Sequence, residues 1–137
     1  ISMGYGEVFT AIQTGVVDGA ENNPPSLYTA NHFKAGAKYY TQTNHLIIPE
    51  ILVMSKVAWD RLSAADQALF KRMGREAQME QRVLWDKAVA EYTEKLKAAG
   101  VEFINIDNRP FYDATAPVRA KYGAQYVDLM KRISEVK

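Results

Sequence analysis

The chain has 137 residues, 47% of them hydrophobic, 24% charged and 11% aromatic. That composition suits one folded domain or part of a larger one, and excludes disordered, collagen-like and low-complexity segments. Lys and Arg total 17 against 16 Asp and Glu, a formal charge of +1, so there is no basic excess to neutralise nucleic-acid phosphates. Cysteine is absent, which excludes disulfides, thiolate nucleophiles and cysteine-ligated zinc and leaves the compartment open.

The opening Ile1-Ser2-Met3-Gly4-Tyr5 has no initiator Met and no signal-peptide pattern, and the expectation is a fragment of a longer chain. Glu7 to Gln13 predicts a short helix, with Val8, Ala11 and Ile12 at the i, i+3, i+4 spacing and Gly15 as its left-handed cap. Val16-Val17 reads as a brief β-like run that stops at the turn dipeptide Asp18-Gly19. Glu21 to Ser26 contains Pro24 and Pro25 and reads as a rigid, non-helical loop. Leu27 to Tyr39 predicts a weak helix. Leu46 to Met54 is the longest apolar stretch, and Pro49 and Glu50 interrupt it, so it cannot span a bilayer. Its Ile47, Ile48, Ile51 and Val53 predict a strand that Pro49 makes an edge, bulged or broken one.

Ser63-Ala64-Ala65-Asp66 has capping-box spacing and opens the strongest element in the sequence. Leu69, Met73, Ala77, Leu84, Ala88, Tyr92, Leu96 and Ala99 follow at steps of three, four or seven, and Gly100 closes the run. A continuous helix over 63–99 is roughly 54 Å long. A compact body of this many residues has a radius of gyration of only about 14 Å, so the helix reads as a strut along two lobes. Gly74 inside it predicts a kink or a close packing contact. Many charges along this helix, Lys71, Arg72, Glu76, Glu91 and Lys95 among them, suit a solvated face. Val101 to Ile106 then predicts a strand with Val101 and Phe103 on one face. Pro110 opens a helix that Pro117 and Gly123 interrupt, and Ala124 to Val136 forms a terminal helix with Tyr126, Val127, Met130 and Ile133 on its apolar face.

Chemistry-bearing patterns are sparse. No G-x-S-x-G, P-loop or G-x-G-x-x-G occurs, and His32 and His45 lie in no metal-binding spacing. A metal-dependent hydrolase would have to assemble His32, His45 and Glu50 as a two-His-one-carboxylate site. Otherwise His32 reads as a surface helix residue and His45 as a hydrogen-bonded residue at the entry to a strand. A helical interaction domain built on 63–99 is a further alternative.

The segment from Gly6 to Asn22, GEVFTAIQTGVVDGAEN, resembles the signature of the periplasmic solute-binding proteins of tripartite ATP-independent (TRAP) transporters, the DctP-like family. Tyr39-Tyr40, Thr43-Asn44-His45, Trp59, Leu62, Gln67 and Gly100-Val101 continue the likeness over nearly the whole chain. The resemblance implies an α/β chain, helix-rich, that is the C-terminal part of a two-lobed periplasmic binding protein, with one long helix spanning both lobes. Residues 1–137 would hold parts of both lobes and helix 63–99. It also implies no enzymatic activity and no cofactor, a periplasmic location outside the membrane, a small organic acid as ligand and the TRAP permease subunits as partners. The arginine that pairs with the ligand carboxylate in this family would lie upstream of the chain.

Carried over residue by residue, Tyr5 falls where the family often sets an aromatic against the ligand, the alternative being core packing. Asn22 matches the asparagine that hydrogen-bonds the bound carboxylate; an amide N–H donates to an oxyanion without adding charge. Its alternative is an Asx-turn before the prolines. Glu50 falls on the cleft-lining strand as a specificity residue that accepts from hydroxyls, or is an exposed edge-strand charge. The string ENNPPS at Glu21–Ser26, with His45 and Pro49-Glu50, is most similar to the sugar-acid (hexuronate) binders; C4-dicarboxylates are the alternative ligand class.

Overall fold

A computed structural model describes residues 1–136, in two compact units: Ile1–Tyr40 with Leu46–Ile104, and Thr41–His45 with Asn105 onward. In the first unit a 3-10 turn over Tyr5–Glu7 runs into α1 (Val8–Gln13). Gly15, at φ +72°, follows its last turn. The amides of Gly15 and Val16 then donate to the carbonyls of Ile12 and Ala11 at 3.2 and 2.8 Å, and the Val17 amide also reaches Ala11 at 3.2 Å. This is a Schellman closure, and it corrects the β-like reading of Val16-Val17: both amides finish the helix and none is left for a ladder.

The two prolines also act differently from expectation. Asn23 is an N-cap, its Oδ1 accepting from the Ser26 amide at 3.0 Å, and Pro24 and Pro25 occupy the first two positions of α2 (Pro24–Thr29). Proline lacks an N–H where a helix start would leave that donor unpaired, and its fixed φ suits the first turn. The segment predicted as a loop is therefore a helix start. The predicted weak helix over 27–39 divides into the end of α2, a 3-10 turn over His32–Lys34, and the start of β1 (Tyr39–Gln42). Asn31 in the left-handed region (φ +58°) makes the first break and Gly36 (φ +125°) the second.

Leu46 to Met54 forms no strand. It lies extended and exposed with no ladder partner, because an apolar run without a neighbouring strand has nothing to pair its backbone with. A short α3 (Lys56–Trp59) leads to α4 (Ala64–Ala98), 35 residues long. Ser63 Oγ accepts from the Asp66 amide at 3.1 Å and donates to Asp66 Oδ2 at 2.7 Å, so the predicted N-cap forms, with the Asp66 carboxylate returning to the Ser63 hydroxyl rather than to its backbone amide. Gln67 ties the two helices by donating to the Trp59 carbonyl at 3.0 Å. At the far end Gly100 takes φ +85°, while Gly100 and Val101 donate to Lys97 and Leu96 at 2.9 and 3.0 Å, a second Schellman closure.

That closure delivers the chain into β2 (Glu102–Asn105), which pairs with β1. The Glu102 amide donates to the Lys38 carbonyl at 2.9 Å, which brings the starts of both strands together, as in a parallel pair joined through a helix. The core lies here. Leu27, Phe33, Leu96 and Val101 are buried together, with Tyr28, Ala37, Tyr40 and Phe103 against them. Tyr28 stacks on Phe33 at 5.4 Å and meets Tyr92 of α4 at 5.1 Å. The predicted stripe of α4 is thus covered only at its C-terminal end: Leu96 is fully buried, whereas Leu69, Met73 and Leu84 are exposed, Leu84 at 52%. Gly74 meets a neighbour rather than a kink, with Leu52 Cδ2 at 3.6 Å from where a Cβ would stand.

The second unit contains α5 (Arg109–Ala114), α6 (Ala116–Gly123) and, after a 3-10 turn over Ala124–Tyr126, α7 (Val127–Ser134). Pro110 and Pro117 sit in the first turns of α5 and α6. Arg119 clasps α5 to α6, donating to the Tyr112 carbonyl at 2.6 Å with its guanidinium 3.6 Å from the Tyr112 ring centre. The expected apolar face of α7, with Tyr126, Val127, Met130 and Ile133, is exposed. No described helix is long and apolar enough to cross a membrane.

Candidate functional site

The site grows out of the junction between the α1 closure and the cap of α2. After Val17 the backbone has no regular partner until Asn23, and Asn22 sits at the end of that loop, one residue before the N-cap. Three contacts fix it. Its Oδ1 accepts from the Asn23 amide at 2.9 Å, its Nδ2 donates to the Tyr5 hydroxyl at 3.3 Å, and its main-chain carbonyl accepts from the Tyr40 hydroxyl at 2.9 Å. The first bond turns the oxygen end of the carboxamide toward the helix cap. The nitrogen end is left to Tyr5, and of its two hydrogens only one is taken there.

Tyr5 is 56% exposed, so it is not core packing. Its ring meets His32 edge-on at 5.8 Å with 61° between planes. His32 corrects the sequence reading, for it is 3% exposed and not a surface helix residue. The tight turn at Asn31 directs it inward, an effect of backbone handedness that hydrophobic periodicity does not register. Burial lowers its pKa from the ordinary imidazole value, which keeps the ring neutral at pH 7. Asn22, His32 and Tyr40 line a cavity of about 190 Å³ with Asp18 and Lys38 at its wall. The Tyr40 hydroxyl has its pKa raised, first by burial and then by the charge of Glu21, so it stays a protonated donor.

Glu50 lies apart in character. It is exposed on the extended segment between Leu46 and Met54, which is not the cleft-lining strand expected, and it does not line this cavity. His45 hydrogen-bonds Thr43 Oγ1 through Nδ1 at 2.7 Å, but no strand follows it. Among the described residues no group of three His, Cys, Asp or Glu side chains is placed to hold a metal ion, so the His32, His45 and Glu50 site does not assemble. The sequence reading missed Tyr40 and the buried His32. Tyr40 had one signal, a tyrosine pair at the start of a polar strand.

The arrangement offers an amide donor with one hydrogen to spare and an exposed phenol beside a small concavity, neutral polar groups suited to orienting an oxygen-rich anion. A family model described as bacterial extracellular solute-binding protein, family 7 (DctP), matches residues 1–125. A solute-binding protein of Chromohalobacter salexigens is 35% identical over 135 residues, 98% of this chain and 40% of its own length. The TRAP periplasmic solute-binding protein of Pseudomonas putida F1, solved with bound D-glucuronate, is 64% identical with a TM-score of 0.95, over 100% of this chain and 44% of its own. A TRAP periplasmic solute-binding protein of Bradyrhizobium, in complex with α/β-D-galacturonate, is 42% identical with a TM-score of 0.89, over 99% and 46%. The chain thus spans under half the length of each.

Proposed function

The chain belongs to family 7 of the bacterial extracellular solute-binding proteins, the DctP family, and on that premise we propose that it is the C-terminal part of a TRAP solute-binding protein that captures a hexuronate in the periplasm. The complete protein would hand the sugar acid to the membrane permease without chemical change. Residues 1–137 would contribute parts of both lobes and the long helix between them. The observation that carries the reading is the Asn22 carboxamide, with its oxygen held by the Asn23 amide and its nitrogen using one of two hydrogens on the Tyr5 hydroxyl.

In this reading Asn22 donates to the ligand carboxylate, and the charge-pairing arginine comes from outside the chain. Tyr5 sets its ring and hydroxyl against the sugar. Glu50 accepts from sugar hydroxyls when the extended segment lies in the complete protein. Closure of the two lobes would then exclude water from these contacts. The binding of D-glucuronate and α/β-D-galacturonate by similar proteins favours a hexuronate over a C4-dicarboxylate.

The test is calorimetric titration of the complete protein with D-glucuronate, D-galacturonate and succinate. Micromolar or tighter binding of a hexuronate, with succinate at least a hundredfold weaker, is the expected outcome. The reverse order overturns the ligand assignment.

A further inference from the structure

Asn22 does not hold itself in place. The loop before it has no regular backbone partner, and its side-chain bond to Tyr5 is long at 3.3 Å and ends on an exposed residue. Its shortest tie to another element is the 2.9 Å hydrogen bond from the Tyr40 hydroxyl to its main-chain carbonyl. Tyr40 itself is well anchored: its ring lies 5.0 Å from that of Phe103 on β2, and both pack against the buried cluster of Leu27, Phe33, Leu96 and Val101. A phenol fixed at its ring by two paired strands is a rigid post. The hydroxyl at its tip sets the height of the loop.

We propose that Tyr40 is a positioning residue for ligand capture, its hydroxyl holding the Asn22 backbone so that the free amide N–H meets the ligand. This rests on the hexuronate reading for its ligand, not for its geometry. The position carries directional information because a carboxamide attached by only two torsions to its backbone cannot keep its N–H on target if the backbone shifts by even an ångström. Tyr40 acts on affinity only through Asn22. Its effect should therefore disappear when the Asn22 side chain is removed, which a role in general stability would not produce.

The experiment is a double-mutant cycle in the complete protein, with Tyr40→Phe, Asn22→Ala and both together, titrated with D-glucuronate. Tyr40→Phe keeps the ring and its packing on Phe103, so the fold is retained, which a thermal melt checks. The expected result is an affinity loss of about three- to tenfold for Tyr40→Phe alone and less than about twofold when it is added to Asn22→Ala. An equal loss in both backgrounds, or none in the wild-type background, overturns the proposal. The Asn22 side-chain amide resonances of the ligand-free protein give a second reading. They shift and broaden in Tyr40→Phe if the hydroxyl positions Asn22, and unchanged resonances overturn the proposal whatever the ligand. Failure of the wild type to bind any hexuronate sinks the functional reading instead, while the resonances still decide the role of Tyr40.

Discussion

At the scale of single residues, the contact between Asn22 and Tyr5 joins two positions seventeen apart in the chain, and each was marked in the sequence by its place in a motif. On the proposed reading Asn22→Ala removes a donor to the ligand carboxylate, and a hexuronate should bind the complete protein about 1.5 to 3 kcal/mol more weakly. Calorimetry checks this; an affinity within twofold of wild type would assign Asn22 to the turn alone. His32 leads to a different test. Its folded-state pKa is lowered by burial, so below about pH 6.5, the ordinary value, the unfolded chain binds more protons than the folded one. Stability is therefore full above that pH and declines as pH falls toward the lowered folded value. Denaturation midpoints at pH 7.5 and 5.5 should drop more in wild type than in His32→Gln, and equal drops would mean that another group carries the slope. His32 was illegible in the sequence because one left-handed residue, Asn31, decides which way it faces. Glu50 was legible only through the resemblance, since the segment that carries it forms no strand here.

At the scale of elements, what the sequence made readable was punctuation. Ser63, Gly15 and Gly100 each end or begin a helix as their chemistry dictates. What it did not make readable was context: whether a proline stops a helix or starts one depends on whether Asn23 caps it, and whether Leu46 to Met54 is a strand depends on a neighbour elsewhere. Leu96, the fully buried member of the α4 stripe, should cost about 2 to 5 kcal/mol on truncation to Ala. A denaturation midpoint unchanged from wild type would contradict its place in the core. Gly74 should behave in the opposite sense. An added Cβ would stand in ordinary contact with Leu52 at 3.6 Å, and the helix would gain the roughly 1 kcal/mol that separates alanine from glycine. Gly74→Ala is expected to raise stability, measured by chemical denaturation; a loss would reveal strain that the helix geometry does not show.

For the molecule as a whole, the exposed two-thirds of the α4 stripe and the extended apolar segment match the fact that the chain covers 44% of its Pseudomonas putida relative. Large contiguous apolar surface of this kind marks an interface. If the rest of the complete protein covers it, Leu84→Ala should there cost about 2 to 5 kcal/mol, as for a buried leucine, despite its 52% exposure in this chain. A cost below about 0.5 kcal/mol, the range of surface substitutions, would leave that face to solvent. The 137 residues alone should bind D-glucuronate no better than millimolar, because no arginine lines the cavity of about 190 Å³. Saturable micromolar binding followed by Trp59 and Trp85 fluorescence would place the whole carboxylate site within the chain.

The parallel pairing of β1 with β2 also sets an order in time. Tyr40 meets Phe103 only across an intervening loop of about sixty residues, all of α4 included, and closing so long a loop is among the slower steps available to a small chain. During synthesis the Gly6–Asn22 segment emerges first, yet β2, which steadies Tyr40, follows long after. The hold of Tyr40 on the Asn22 backbone is then acquired late, once the helix has carried β2 back to its neighbour. A chain caught halfway would carry the Asn22 loop without the post that holds it.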